Sequence, residues 1–260
     1  TNKPFLLENN NGSFVDVTTK RINDVSSLQI INDAIFSDYD KDGDNDLIVV
    51  GEWMPVTIFE NINGKFVKKE IGALKNLDGW YQSITASDLN NDGLVDYIIG
   101  NWGANNKFHP TIEKPLHIYA DYFDKNTSFD MVLSKVSKTG DLIPIRGKEC
   151  STQQTPFLQK KIKTYKDFAN STLPEIYGEN ILEKALHLEA HNFNSFILKN
   201  KGNGAFEIQK LPNQAQFSPT LGIEIQDLNN DGNLDIFGVG NIHEAEVETI
   251  RYDASKGYVL

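Results

Sequence analysis

Cysteine is almost absent. Cys150 is the only one in 260 residues, so no disulfide can form within the chain and the fold rests on packing, with help from ions. Long hydrophobic runs are missing too. The longest lies around Leu47 to Val50, far short of the ~20 residues a helix needs to cross a bilayer, so no direct membrane span is expected. Positive charge is scarce: 25 Lys and Arg stand against 36 Asp and Glu, for a formal net charge of −11. That balance argues against nucleic acid or a polybasic membrane patch. No nucleophile elbow, phosphate loop or H-E-x-x-H motif occurs, so no catalytic residue is assigned. No leader segment is visible, and both ends read as cuts through a longer protein.

What is abundant is aspartate in a fixed pattern. The stretch from Ser37 reads "SDYDKDGDND", and acidic groups so crowded repel one another unless a cation sits between them. The pattern recurs. Asp38, Asp40, Asp42, Gly43, Asp44 and Asp46 are matched by Asp88, Asn90, Asp92, Gly93, Leu94 and Asp96. They are matched again by Asp227, Asn229, Asp231, Gly232, Asn233 and Asp235. A degenerate fourth copy has Tyr122 in first position, then Asp124, Asn126, Thr127 where glycine belongs, and Asp130.

Oxygen donors at positions 1, 3 and 5 of a tight loop, with glycine at 6 for the turn, suit Ca²⁺, which takes about 6–8 hard oxygen ligands. Position 7 would offer its backbone carbonyl and position 9 a further carboxylate. An EF-hand would need a glutamate at position 12, where this chain has Val49, Ile99 and Gly238, and it would need flanking helices. About three calcium sites are expected; the degenerate copy, without a first-position carboxylate or the glycine, is only a weak candidate for a fourth.

Each loop runs into a short apolar segment such as "LIVVG", "YIIG" or "IFGVG", which reads as a strand buried on both faces. A second element repeats in phase: "LLENNNGSF", "IFENINGKF" and "ILKNKGNGAF" place Asn-Gly between apolar runs, a strong hairpin signal. Between Thr155 and about Ala190 the apolar residues fall at helical spacing, among them Leu158, Ile162, Tyr165, Ile181, Leu182, Ala185 and Leu186. Ser171 or Thr172 would cap a short helix entering Pro174, and Gly178 would end it. The expected organisation is propeller blades over 1–147, a helical insertion within a blade over 148–190, and a blade of the same domain over 191–260.

The combination D-x-D-x-D-G-x-x-D, apolar strand, then N-x-G-x-F resembles the FG-GAP/VCBS repeat of integrin α-subunit propellers and many secreted bacterial proteins. It is most similar to VCBS-repeat, ASPIC/UnbV-associated surface proteins of Bacteroidota, in which "GNWGANNKF" and "RYDASKGYVL" fall in comparable contexts. The resemblance implies an all-β propeller of about seven blades, of which this chain would supply about four. It also implies an exported, often lipid-anchored protein at the cell surface or outer membrane, in calcium-rich surroundings.

Residues after the inner strands are candidates for recognition, set against the favoured reading that Trp53 and Trp102 pack between blades and the glycine makes the turn. Glu52 and Trp53, Asn101 and Trp102, and Asn241 follow Gly51, Gly100 and Gly240, so a propeller would set them at one height around its axis. The expected role is a binding or assembly module for a protein partner, the alternative being a glycan-binding or polysaccharide-degrading propeller. The segment "HLEAH", His187 to His191, lacks the glutamate of a zinc-protease helix and reads as two partly exposed histidines ending a helix. His109, His117 and His243 show no partner spacing.

Overall fold

A computed structural model of the chain describes residues 3–124, 128–245 and 249–260. It divides into two compact units, Thr1–His109 with Asn192–Leu260, and Pro110–His191. Both are built on antiparallel sheet, and no sheet closes on itself among the described residues.

The first unit opens with a hairpin, β1 (Leu7–Asn10) and β2 (Ser13–Asp16), followed by a single helical turn, α1 (Thr18–Arg21). Asn11 and Gly12 turn the hairpin with φ of 52° and 91°. Two successive positive φ values make the turn that matches strand twist, and Asn-Gly adopts it at least cost. The first large sheet is a meander of β3 (Ile30–Ser37), β4 (Asp46–Met54), β5 (Thr57–Ile62) and β6 (Lys65–Lys69), with β7 (Gly79–Trp80) pairing to β4. The second sheet begins with β8 (Ser83–Ser87) and β9 (Asp96–Gly100). There the chain departs into the other unit.

In Pro110–His191, β10 (Leu116–Asp121), β11 (Asp130–Val136) and β12 (Leu142–Pro144) precede five short helices. These are α2 (Lys148–Gln154), α3 (Phe157–Lys161), α4 (Tyr165–Ala169), α5 (Leu173–Tyr177) and α6 (Glu179–Leu182). A last strand, β13 (Leu186–Ala190), joins the sheet in the order β12-β11-β10-β13. Tyr119, Phe123 and Val132 from the sheet side pack with Leu158, Leu173 and Ile176 from the helices. Thr172 caps α5 in a reciprocal capping box with Glu175, Pro174 stands in its first turn, and Gly178 ends it at φ 102°. The helical pattern read through Leu186 stops at Leu182. From Leu186 onward the chain pairs with β10, and ladder hydrogen bonds outweigh the local spacing of apolar residues.

Back in the first unit, β14 (Phe196–Asn200) and β15 (Phe206–Lys210) complete the second sheet in the order β15-β14-β9-β8. The sheet is thus split in sequence between its second and third strands, with Phe196 the register partner of Ile99. A third sheet follows: β16 (Gly222–Gln226), β17 (Asp235–Val239) and β18 (Tyr258–Val259).

The apolar strands are sandwiched between sheets. Tyr97 and Ile99 of β9 join Ile48, Val50 and Ile58 of the first sheet in one core, while Ile98 packs with Ile236 and Tyr258 of the third. Alternate residues of one strand therefore feed two cores. That is why "YIIG" is apolar throughout, with no polar face to show.

Candidate metal centres

The three full loops occupy the same place in three sheets, joining β3 to β4, β8 to β9 and β16 to β17. In each, the residue before the loop pairs with its ninth: Ser37 with Asp46, Ser87 with Asp96, Gln226 with Asp235. The degenerate loop joins β10 to β11 in the same register, Asp121 opposite Asp130.

Within the loops the hydrogen bonds repeat atom for atom. The first-position carboxylate receives the backbone N–H of the fifth and sixth residues: Asp38 from Asp42 and Gly43, each at 3.1 Å. Asp88 receives them from Asp92 and Gly93 at 3.1 and 2.7 Å, and Asp227 from Asp231 and Gly232 at 3.1 and 2.9 Å. The fifth-position carboxylates accept from the N–H of Asp44, Leu94 and Asn233 at 3.0, 2.8 and 2.8 Å. The fourth residues, Lys41, Asn91 and Asn230, have φ of 63°, 58° and 60°, and the glycines φ of 98°, 80° and 88°. This left-handed pair curls the chain so that positions 1, 3 and 5 face one point. Carboxylate oxygens of Asp38, Asp40 and Asp42 lie within 4.8 Å of one another.

The ninth aspartates do a different job. Asp46 and Asp96 are fully buried. One oxygen of each accepts the N–H of the loop's second residue, Tyr39 at 3.2 Å and Leu89 at 3.3 Å. The other accepts the N–H of an asparagine at or next to the end of the third strand, Asn61 or Asn200, each at 2.8 Å. Asp235 makes the first of these bonds with Leu228 at 2.8 Å. A carboxylate offers about four lone-pair sites, so two backbone bonds leave room for an ion. In the degenerate loop Asp130 is buried, keeps the bond from Phe123 and leaves Oδ2 unpartnered. Tyr122 is exposed, Asp124 is half-buried, and Asn126 and Thr127 lie outside the described residues.

Burial raises the ninth carboxylate in both the first and second loops, Asp46 and Asp96, but the remaining carboxylates set the first loop apart. Burial, with Asp40 and Asp42 nearby, pushes Asp46 up to about 6. Burial and then the Asp42 charge also raise Asp40 and Asp44. In the other loops the fifth carboxylates are held low, Asp92 by the Leu94 N–H and Asp231 by the Asn233 N–H. An asparagine in third position removes one charge there. Oδ1 of Asp44 is shut off from solvent without a hydrogen-bond partner. An orphaned carboxylate oxygen beside three convergent carboxylates fits a hard cation held by oxygen, and the donor set is that of Ca²⁺.

The residues weighed as recognition candidates are mostly interior, which agrees with the packing reading for Trp53. Trp53 is buried and Asn101 fully so. The Asn101 side chain accepts the N–H of Trp80 and Trp102 and donates to the carbonyls of Asn192 and Asn194, which leaves it nothing for a ligand. Asn241 is likewise occupied with both backbone groups of Ser255. Glu52 and Trp102 are half-buried. The centre of this region is Trp80, which sequence reasoning passed over. Its ring meets Trp53, Trp102, Phe108 and Phe193 at centroid distances of 5.2, 5.1, 5.8 and 4.7 Å.

His117, which shows no partner spacing in the sequence, is brought by β10 beside His187 and Glu189 of β13. Burial lowers both imidazoles below the usual histidine range. No spacing rule signals a residue 70 positions away; only the strand pairing does.

Among curated proteins none matches the chain. Residues 38–99 match the FG-GAP-like repeat family, so the stretch from the first aspartate loop through the strand after the second is similar to that repeat.

Proposed function

We propose that the chain is part of a calcium-stabilised β-propeller that serves as a binding or assembly module for a protein partner, working at the cell surface or outer membrane. The observation that carries this reading is the threefold repetition of one loop geometry at one position in three successive sheets. Sheets that share cores in chain order, as the first, second and third do through β9, suit blades ranged about an axis. Ions held only by the folded loops add RT ln(1 + [L]/Kd), about 2.7 kcal/mol per site at a hundredfold excess over Kd.

A protein partner is favoured over a glycan because Trp53 is buried and the half-buried Trp102 has its ring engaged by Trp80 and Tyr252. Phe5, Phe14, Ile30 and Phe36 of the first unit are exposed, and large apolar groups left to solvent favour burial against another chain. The test is calorimetric titration of the EDTA-treated protein with Ca²⁺, with thermal melting in both states. About three sites per chain and a raised Tm are expected. Melting indifferent to Ca²⁺, with no heat of binding, would sink the reading. Capture from solubilised outer membranes in Ca²⁺ and in EDTA then identifies the partner.

A further inference from the structure

We propose that His117, His187 and Glu189 form a site for one divalent transition-metal ion of the Zn²⁺ class, with His191 holding the carboxylate in place. This site is independent of the aspartate loops and lies wholly within Pro110–His191.

The placement follows from strand geometry. Side chains alternate along β13, so His187, Glu189 and the next residue in step, His191, share a face. In β10, running antiparallel beside it, His117 is the register partner of Glu189 and Tyr119 that of His187. Nδ1 of His117 stands 3.0 Å from Nε2 of His187 and 3.3 Å from Oε1 of Glu189. The His187 nitrogen is 3.7 Å from the same oxygen. Zinc bonds of ~2.0–2.2 Å at tetrahedral angles set neighbouring donors ~3.3–3.5 Å apart. The sides of the donor triangle, 3.0, 3.3 and 3.7 Å, bracket that separation and average close to it.

Hydrogen bonding alone does not explain the convergence. One proton serves the contact between the two neutral rings, and the accepting nitrogen has none to give the nearby Glu189 carboxylate, so acceptor stands beside acceptor. A cation at the centre turns that repulsion into three bonds. The supporting groups are also in place. Nε2 of His191 lies 3.3 Å from Oε2 of Glu189, the oxygen outside the triangle. The Tyr119 ring stacks on His187 at 4.2 Å and 5°. Groups that orient metal ligands in this way tune affinity strongly.

The donors choose the class of ion. Ca²⁺ and Mg²⁺ are held by oxygen, whereas two imidazoles and one carboxylate suit Zn²⁺ and its first-row neighbours. Side chains of His187 and Glu189 are 36% and 38% exposed, against 8% for His117, so an ion enters from their side. Three protein donors leave a fourth position for water.

The test uses the full chain, stripped with EDTA, dialysed, and saturated with Ca²⁺ so that the aspartate loops are filled. Zn²⁺ is then titrated calorimetrically and Co²⁺ by visible absorption. One Zn²⁺ per chain and a tetrahedral-type Co²⁺ spectrum are expected, both lost in His187→Ala. His191→Ala should weaken Zn²⁺ binding on the order of 10–100-fold without abolishing it. Near-ultraviolet circular dichroism checks that each variant is folded; if the buried His117→Ala is not, the half-exposed His187→Ala decides alone. No Zn²⁺ uptake in Ca²⁺, or uptake unchanged by His187→Ala, overturns the proposal. Either result leaves the calcium reading untouched, since that rests on melting with Ca²⁺ against EDTA.

Discussion

Asp96 and Asn200 are 104 positions apart, yet the Asn200 backbone N–H donates to Asp96 Oδ1 at 2.8 Å. Asn61 makes the same bond to Asp46 only 15 positions on, also at 2.8 Å. The ninth aspartate of each loop therefore fastens the start of the second strand to the end of the third. This holds whether or not a folded unit intervenes.

Asp96→Ala should be costly even without ions. It orphans the buried N–H of Asn200, at about 1–3 kcal/mol, and the part-buried N–H of Leu89 at less. Asp88→Ala, in an exposed stretch, should cost little in EDTA but abolish much of the gain from Ca²⁺. Urea unfolding of both variants, with and without Ca²⁺, checks the contrast; equal losses in EDTA would refute it.

Gly43 has φ 98°, and nothing lies within 4 Å of where a Cβ would sit. Gly43→Ala thus isolates backbone strain, about 1–2 kcal/mol. Gly72 has equally open space and no positive φ, so Gly72→Ala should be close to neutral. Chemical denaturation of the pair measures the difference.

The ion-free protein should respond to acid in an unusual direction. The Asp46 carboxyl is raised to about 6 in the fold, above the ~3.9 of an unfolded chain. Between those values the folded state binds the proton more readily, so this group adds stability as pH falls through 6 and withdraws it as pH rises. With Ca²⁺ bound, protons compete with the ion and the sign reverses. The Tm difference between wild type and Asp46→Asn, followed from about pH 7 to about pH 5, should grow in EDTA and shrink in Ca²⁺. A flat difference in EDTA would show that Asp46 is not the group responsible.

Trp80 is the hub of the aromatic cluster. Trp80→Ala should cost about 3–5 kcal/mol and Trp80→Phe distinctly less, since a smaller ring still meets Phe193 and Trp102. Guanidinium unfolding curves of both variants measure this.

Much of this was legible in the chain. The loops, their following strands, the Asn-Gly turns and the Thr172 cap are local devices, each written within about ten residues, and each is where its residues put it. The ninth position was read as a ligand, yet its carboxylate also accepts two backbone bonds, one from Tyr39 or Leu89 within the loop and one from Asn61 or Asn200, the latter groups no motif names. Trp80 escaped notice because its partners come from Trp53, Phe108 and Phe193, which meet only after the sheets stack. Leu186–Ala190 was read by its apolar spacing as helix, although alternation of His187, Glu189 and His191 was equally present. What decided it was a free edge on β10, and that is a property of the sheet.

The break between β9 and β14 has a wider meaning. Since Ile99 and Phe196 are register partners, the chain leaves and re-enters on adjoining rungs of one ladder. The entropic cost of closing a loop grows only slowly with its length. The sheet is thus nearly indifferent to what is spliced in at this junction, which makes it a socket. A lineage can exchange the cargo carried there while the surrounding scaffold keeps every one of its own bonds.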